Sequence, residues 1–339
     1  MQPPTPRVDP RLPGYLLEPL TGGWSGETFL ATPSPGAGGG DRLVVRFFAD
    51  ARHAPDAARV QAALLDRVRD VVPVPTVREV HDGEGVLPGL LVTELLPGER
   101  GDLVLARLVA EHRGVGRRED GRREGGPREA GRRAEDDLRS LGRALGRAAG
   151  TLAATPMPRT GLFAGADLRI EPFGLWLPDW VDTHAPGLVE AGWSDGEVAG
   201  LRKVAERAAV DLEGAAPCLV HSDLNPKNVL VDAATLQITG VLDWEFAHAG
   251  HPATDLGNLL RFDREPAYAE GVLHGWSAAA AAATVADGRH RHRVVRLARS
   301  ADLVALVELA ARAETNPVVR QARAHLRAIA RTGDAGAAP

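Results

Sequence analysis

The chain has 339 residues, of which 44% are apolar and 25% are charged, as in ordinary folded globular proteins. The 45 acidic residues outnumber the 40 Lys and Arg, and the resulting net charge of -5 argues against a broadly basic nucleic-acid binder. The single cysteine excludes an intramolecular disulfide framework, and no window contains the roughly 18 apolar residues that a membrane span needs. The N-terminal residues have no secretory pattern, so we expect a cytoplasmic protein without nucleic-acid or membrane partners, built from about two domains.

The first hundred residues predict strands on either side of one helix. Strand signals lie at Tyr15–Leu20, at Thr28–Ala31, at Leu43–Phe48, within residues 71–80 and at Leu90–Leu95. Pro55 suits a first helical position, and the apolar stripe after it has helical spacing. Pro97-Gly98 ends the last strand. This order predicts a small β-rich lobe that ends at a tight connector.

Residues 111–137 form a compositionally biased insert. They contain eight arginines and eight acidic residues with repeated glycine and almost no apolar side chains. Such a segment buries too little apolar surface to offset its ordering entropy, so we expect a solvated, disordered loop.

The rest of the chain is mainly helical by its apolar periodicity, with helices predicted at 138–154, 195–212, 301–313 and 317–331. A β-rich patch interrupts them at 219–231 and 237–242. The fold class is therefore α+β. We place a β-rich N-terminal lobe at residues 1–96 and a larger helical lobe at residues 97–339.

The most informative segment is the run from Cys218 to Val231, CLVHSDLNPKNVLV. An apolar strand leads into His221-x-Asp223, Asn228 follows after four intervening residues, and a second apolar strand follows Asn228. Fifteen residues beyond Asn228, another strand ends at Asp243. Single polar residues at strand ends are usually just solvated, but this ordered set with strands on both sides indicates a site.

Phosphoryl transfer gives this spacing a chemical meaning. The reaction needs a carboxylate that orients the attacking hydroxyl and accepts its proton, and oxygen ligands for Mg²⁺ on the nucleotide phosphates. Asp223 suits the first role, and Asn228 and Asp243 suit the second. We predict that these three residues form the catalytic set and that Asn228 and Asp243 hold Mg²⁺.

The segments HSDLNPKN and VLDWEFAHAGHPATDLGNLL resemble the aminoglycoside phosphotransferase family, and residues 72–75 and 90–98 resemble its connector region. The resemblance covers most of residues 15–260. It implies a bilobal, protein-kinase-like fold in which residues 1–96 bind the nucleotide and residues 97–339 carry the catalytic loop and the acceptor site. It also implies ATP, with GTP as an alternative, Mg²⁺ and a small hydroxylated acceptor.

Within that frame, the turn between the first two strands is expected to contact the phosphates through Gly23, Ser25 and Gly26. Glycines allow close backbone approach, although a plain hairpin turn has the same sequence signature. Arg46 stands on the strand where protein kinases place a lysine, and Gln61 stands where the partner glutamate is expected. Arginine can still bind phosphate oxygens bidentately, but an Arg46–Gln61 contact would position it less firmly than an ion pair.

The resemblance also places the nucleotide base against backbone groups of the connector near Glu94 and Leu96. It implies that His221 braces the catalytic loop and that Asp255 accepts backbone N–H groups of that loop. Glu245 remains open between an exposed charge at the cleft edge and a ligand for a metal or a cationic substrate.

The sequence is compatible with three candidate functions, of which the first is the most favoured. The first is phosphorylation of a small-molecule hydroxyl, on an antibiotic such as an aminoglycoside or on a metabolite of the choline, homoserine or sugar type. The second, a protein kinase, is disfavoured because the stretch from Asp243 to Asp255 is too short for a peptide-reading activation loop. The third is a non-catalytic nucleotide-binding protein. The sequence leaves the choice between monomer and homodimer open.

Overall fold

The computed structural model describes residues 7–20, 28–35, 40–49, 54–85, 87–114, 127–262, 265–280, 288–314 and 316–337. The strands are β1 Tyr15–Pro19, β2 Thr28–Pro33, β3 Leu43–Phe48, β4 Val77–His81, β5 Gly89–Glu94, β6 Glu99–Arg100, β7 Gly161–Ala164, β8 Arg169–Glu171, β9 Cys218–Val220, β10 Val229–Val231, β11 Ile238–Val241 and β12 His248–Gly250. The helices are α1 Ala57–Val68, α2 Gly101–Gly114, α3 Pro127–Ala153, α4 Leu177–Glu190, α5 Asp195–Leu212, α6 Thr254–Leu260, α7 Pro266–Ala279, α8 Gly288–Ala311 and α9 Pro317–Thr332.

The N-terminal part is an antiparallel sheet of order β1-β2-β3-β5-β4. Side chains alternate between the two faces of a strand, and β3 shows the consequence. Val45 and Phe47 are buried with Leu17 and Val92 on one face. Arg46 therefore points to the opposite face, where it lines the cleft between the two parts of the chain. The alternation in LVVRFF thus aims one cation at the cleft.

The remaining chain is mainly helical and encloses two apolar cores. One core gathers α3, α6 and α7 around strands β9 to β11, and the other joins α4, α5, α8 and α9. Two small sheets, β11-β10-β6 and β8-β7-β12-β9, cross this region. The structure is therefore the α+β fold expected from the sequence, with a β-rich and a helical part.

The connector is anchored to the segment that carries Asp223 and Asn228. After Pro97-Gly98 the chain enters β6, where Arg100 pairs with Leu230 of β10. Gly98 has φ +131°, and a Cβ at this position would lie 2.5 Å from the Thr239 hydroxyl oxygen. Only glycine fits such a backbone at such a close approach.

The insert predicted as a disordered loop at 111–137 is partly helical, which corrects that expectation. Residues 111–114 finish α2 and residues 127–137 begin α3, whereas 115–126 lie outside the described residues. Ala134 is buried, and Arg139 pairs with Glu135 one turn away. Contacts of this kind at helical spacing stabilise a segment whose composition alone predicts no core.

Among the described residues, each helix falls short of the length or the apolar character that a membrane span requires.

Helices α3 and α7 approach each other closely because glycines face the contact. A Cβ at Gly146 would lie 2.0 Å from the Val272 carbonyl oxygen, and a Cβ at Gly275 would lie 2.1 Å from the Arg143 carbonyl oxygen. No real side chain tolerates those distances, so each glycine sets the spacing of the two helices.

We expect Gly146→Ala to lower the free energy of unfolding by about 2 kcal/mol or more, because the methyl group must push the α7 backbone away. This loss exceeds the roughly 1 kcal/mol that alanine gains in helix propensity. Urea unfolding measures the change. Gly196→Ala is the matched control, since nothing closer than 4.0 Å faces that position on α5. Equal effects of the two substitutions would contradict the packing argument.

Candidate active site

A cleft of about 1660 Å³ separates the β-rich part from the helical part. Its lining brings together most of the predicted site residues that the structure describes: Arg46, Glu94, Leu96, Asp223, Asn228, Asp243 and Glu245. These residues come from β3, from the connector and from the two loops that follow β9 and β11.

Asp223 lies in the cleft with both carboxylate oxygens held. Oδ1 accepts a hydrogen bond from Asn225 Nδ2 at 2.7 Å, and Oδ2 accepts one from Asn228 Nδ2 at 2.8 Å. Lys227 Nζ lies 3.4 Å from Oδ2. The carboxylate plane is therefore fixed, and each oxygen retains acceptor capacity for a further hydrogen.

The turn that presents Asp223 depends on a buried carboxylate in α6. Ser222 has φ +68°, a left-handed conformation that is uncommon for a residue with a side chain. Asp255 is 2% exposed and accepts the backbone N–H groups of His221 at 2.9 Å and of Ser222 at 2.8 Å. Burial raises the pKa of the Asp255 carboxyl, while His221 and the backbone donors act in the opposite direction.

His221 is fully buried and braces the loop on its other side. Its Nε2 lies 2.8 Å from the Leu242 carbonyl oxygen, so this nitrogen donates. Its Nδ1 then accepts the backbone N–H of Asp223 at 3.3 Å. The ring packs on Trp244 with centroids 4.6 Å apart. His221 thus joins the Asp223 loop to the Asp243 loop.

Asn228 and Asp243 are brought side by side by the pairing of β10 with β11. Val229 pairs with Val241, and the Leu242 N–H donates to the Asn228 carbonyl oxygen at 2.8 Å. Asp243 follows directly, with φ +64°. The hairpin therefore places the two predicted metal ligands next to each other at the floor of the cleft.

These two residues fit a Mg²⁺ ion that is shared with phosphate oxygens. Asn228 uses its amide nitrogen on Asp223, which leaves its amide oxygen for a cation. Asp243 Oδ1 accepts a hydrogen bond from Arg46, which leaves Oδ2 for a cation. Among the described residues no cluster of three or more His, Cys, Asp or Glu could hold a metal alone. Mg²⁺ commonly takes only one or two protein ligands when phosphates supply the others.

Arg46 crosses the cleft to the Asp243 loop. Its Nη1 lies 2.7 Å from Asp243 Oδ1, and its Nη2 pairs with Glu245. Burial of the guanidinium lowers its pKa, but the charges of Asp243 and Glu245 outweigh this and raise the pKa of Arg46 overall. Its Nε is buried without a hydrogen-bond partner in the described structure. Glu245 is therefore an ion-pair partner of Arg46 rather than an unpaired charge at the cleft edge.

Gln61 does not pair with Arg46 in the described structure. Its Nε2 donates to the Trp244 carbonyl oxygen at 3.2 Å, so α1 is tied to the backbone between Asp243 and Glu245. The predicted Arg46–Gln61 contact is replaced by two carboxylates from the opposite side of the cleft. A neutral amide on α1 cannot compete with two negative charges for the same guanidinium.

The connector offers backbone rather than side-chain groups. The Glu94 carboxylate turns away toward β4 and accepts from the Thr76 N–H at 3.0 Å and from the Thr76 hydroxyl at 2.9 Å. The N–H of Leu96 has no hydrogen-bond acceptor among the described residues. This edge can accept a hydrogen-bonding heterocycle through the main chain.

The remaining predicted contacts, Gly23, Ser25 and Gly26, lie outside the described residues. Sequence analysis also missed Asn225 and Lys227, although both belong to the quoted motif. Their relation to Asp223 depends on the short 3₁₀ turn at Pro226–Asn228, which carries no periodic signal.

A buried network behind the loop was also missed. Asn258 Oδ1 accepts the Leu224 N–H at 3.1 Å, and its Nδ2 lies 3.4 Å from Asp302 Oδ1. Asp302, 1% exposed, pairs with Arg261, whose Nη2 lies 2.8 Å from Oδ1. Helix α8 thus supports the Asp223 loop through α6, over a sequence separation that no local pattern reveals.

The sequence model of the phosphotransferase enzyme family matches residues 121–294, which are 174 of the 339 residues. A mouse protein, acyl-CoA dehydrogenase family member 11, is 42% identical over 45 residues, a stretch that spans 13% of this chain and 6% of the mouse protein.

Solved structures agree on the fold. The microcompartment-associated aminopropanol kinase superposes with a TM-score of 0.59 at 20% identity, over 94% of this chain and 91% of that one. A thermostable mutant of aminoglycoside phosphotransferase APH(4)-Ia, in a ternary complex with ADP and hygromycin B, gives 0.55 at 19% identity, over 94% of each chain. At these identities the likeness shows the fold alone, which is the bilobal, protein-kinase-like α+β fold.

We expect Asp255→Asn to lower the free energy of unfolding by about 1–3 kcal/mol, because one amide oxygen cannot replace two carboxylate oxygens for two buried N–H groups. Turnover should fall with it, since the loop that presents Asp223 relaxes. Asp232→Asn is the control, because Asp232 is not buried and its Oδ1 alone accepts two backbone N–H groups, of Ala234 and Thr235, each at 2.9 Å, so that one amide oxygen can keep both. We expect a change within about 0.5 kcal/mol there. Equal losses in urea unfolding would contradict the argument.

Proposed function

The chain belongs to the phosphotransferase enzyme family, and from this premise we propose that it transfers the γ-phosphoryl group of ATP to a hydroxyl group of a small molecule, with Mg²⁺ as the counter-ion. GTP is the alternative donor. The catalytic set in this proposal is Asp223, Asn228 and Asp243, with Arg46 and the connector at Glu94 and Leu96 on the nucleotide.

One observation carries the proposal. The Asp223 carboxylate is fixed in the cleft by Asn225 and Asn228, and the loop that ends in Asp243 is bonded to the same short segment. A hydroxyl that reaches Asp223 therefore lies beside the two residues suited to hold the metal. This is the arrangement that direct transfer between two bound molecules requires.

The reaction balances with the groups of this chain. The acceptor hydroxyl oxygen bonds to the γ-phosphorus while the bond from that phosphorus to the β–γ bridging oxygen breaks. The hydroxyl proton passes to the Asp223 carboxylate, and the nucleoside diphosphate leaves with the electron pair of the broken bond. Asp223 orients the hydroxyl through the fixed plane of its carboxylate.

Asn228 and Asp243 would hold Mg²⁺, which when bound supplies positive charge to the phosphate oxygens. Arg46 adds a second cation on the opposite side and is permanently charged. Its partners Asp243 and Glu245 keep it in the cleft in place of the usual lysine–glutamate pair. Lys227, near Asp223 Oδ2, is suited to offset charge on the transferred group.

The acceptor is an antibiotic or a hydroxylated metabolite in this proposal. The neighbours support both classes, since one structure holds ADP and hygromycin B and the other is an aminopropanol kinase. A screen for phosphate transfer over antibiotics and hydroxylated metabolites tests the function. Nucleotide binding without transfer to any acceptor would favour a non-catalytic protein instead.

We expect Asp223→Ala to lower turnover by about 10²–10⁴ or more while nucleotide affinity stays nearly unchanged, because the carboxylate acts on the acceptor hydroxyl. Steady-state phosphate transfer and nucleotide titration measure the two effects. Asp66→Ala is the control, since Asp66 is an exposed carboxylate on α1 with an ion pair to Arg69. Turnover equal to that of the unmodified enzyme would remove Asp223 as the proton acceptor.

We expect Asp243→Ala to abolish the Mg²⁺-dependent part of nucleotide binding, whereas Glu245→Ala retains it. Both substitutions remove one carboxylate from Arg46, so the comparison separates metal binding from loss of the ion pair. Calorimetric titration of ATP with and without Mg²⁺ gives the answer. Identical metal dependence in the two variants would disprove the assignment of Asp243 as the ligand.

A further inference from the structure

The cleft carries an unusual share of the exposed apolar surface. Of the eleven large apolar side chains that are exposed in the described part of the chain, five line this cleft. They are Leu95, Leu162, Phe173, Phe246 and Val318. Exposed apolar side chains scattered singly need no explanation, but a concentration in one concave site marks a surface that binds a ligand.

Three of these side chains, Leu162, Phe173 and Phe246, lie in the cleft lining together with Phe163 and Trp180. We call these five residues the apolar wall. Phe173 and Phe246 are 41% and 49% exposed, and Leu162 is 47% exposed. Trp180 is held at the wall by its Nε1, which donates to the Val304 carbonyl oxygen at 3.0 Å. Its polar group is therefore satisfied, and the ring is held further by His184, with centroids 4.2 Å apart.

The wall is continuous with the strand that delivers Asp223. In the sheet β8-β7-β12-β9, His248 pairs with Leu162 on one side and with Val220 on the other. Val220 stands three residues before Asp223. Phe246 joins the same strip, since its carbonyl oxygen lies 3.0 Å from His248 Nδ1. The apolar wall thus adjoins, through β12, the strand that leads to Asp223.

The carboxylates of this cleft are mostly engaged by cations of the same chain. Glu308 pairs with Arg312 at 2.8 Å, and Glu265 lies 3.5 Å from Arg113. Asp243 and Glu245 are taken by Arg46. Glu314 also lines the cleft, and it has no ion pair among the described residues. A substrate with many positive charges would find few free carboxylates here.

We propose that the phosphate acceptor is an alcohol on a largely apolar, ring-bearing body with at most one positive charge, bound against the apolar wall with its hydroxyl at Asp223. This inference rests on the proposed function and narrows its substrate class. Apolar burial supplies the affinity, and the fixed carboxylate supplies the orientation of the hydroxyl. A polyamino sugar is a poor fit to the same surface, because its amines would be desolvated against aromatic rings.

The test compares three sets of probes with the full chain, Mg²⁺ and ATP. The sets are ring-bearing alcohols (phenylethanol, cyclohexylmethanol and a naphthyl alcohol), an amine-free polyol (glycerol) and a polyamino sugar (kanamycin). We expect kcat/KM for the best ring-bearing alcohol to exceed both others by about tenfold or more, the discrimination that one apolar group provides. Highest activity on kanamycin or glycerol would overturn the inference and leave the proposed function standing.

Basal ATP hydrolysis distinguishes a failure of this substrate inference from a failure of the proposed function. If no alcohol accelerates nucleotide turnover but slow hydrolysis by water disappears in Asp223→Ala, the inference is wrong and the proposed function survives. If no alcohol is phosphorylated and Asp223→Ala leaves hydrolysis unchanged, the proposed function itself fails.

Variants of the wall give a second, independent readout. We expect Phe173→Ser and Phe246→Ser each to raise KM for the best ring-bearing alcohol about tenfold. Val189→Ser, an exposed apolar position on α4 outside the cleft, should leave KM within about twofold. Equal KM values in all three variants would contradict the inference. Calorimetry on the unmodified enzyme with ADP should show a negative heat-capacity change for that alcohol, and its absence would count equally against it.

Discussion

The pair of hydrogen bonds from His221 and Ser222 to the buried Asp255 is the constraint on which the rest of the site depends. A carboxylate nine-tenths or more buried is costly unless its oxygens are bonded, and these two N–H groups are the compensation. They also hold Ser222 at φ +68°, a conformation that costs about 1–3 kcal/mol when it stands alone. Without that turn, the strand β9 would run on and Asp223 would not face the cleft.

A second constraint joins the two parts of the chain. Arg46 is fixed by alternation on β3, and it meets Asp243 and Glu245 from the helical part. The pair is partly exposed, so its contribution to stability is modest, but its position matters more than its energy. In the proposed reaction the same Asp243 carboxylate serves both the cation of this chain and the metal. Binding of a nucleotide and the relative placement of the two parts are thereby coupled through one side chain.

The sequence predicted the elements that depend on local pattern. The strand Leu43–Phe48 and the helix Asp195–Leu212 have the predicted bounds, and the order of Asp223, Asn228 and Asp243 around paired strands follows from the apolar runs between them. What the sequence could not predict depends on contacts between distant segments. Gln61 looks like the partner of Arg46 until the structure shows its amide bonded to the Trp244 carbonyl oxygen. The charged residues of 127–137 look disordered by composition, yet they form the first turns of α3, with Ala134 buried. The composition of a segment describes that segment alone, whereas its structure also depends on the residues that pack against it from elsewhere in the chain.

The apolar wall is a second feature that the sequence alone could not predict. Leu162, Phe173, Trp180 and Phe246 come from separate elements, and nothing in their sequence context distinguishes them from residues of the apolar cores. Leu162, Phe173 and Phe246 are identified by their exposure inside a concave site, and Trp180 by its place in the lining of the same site. In the proposed function, the Asp223 loop and the apolar wall therefore carry different kinds of information. There the loop specifies the chemistry through a compact motif, and the wall specifies the inferred substrate through residues that the fold assembles from more than eighty positions of sequence.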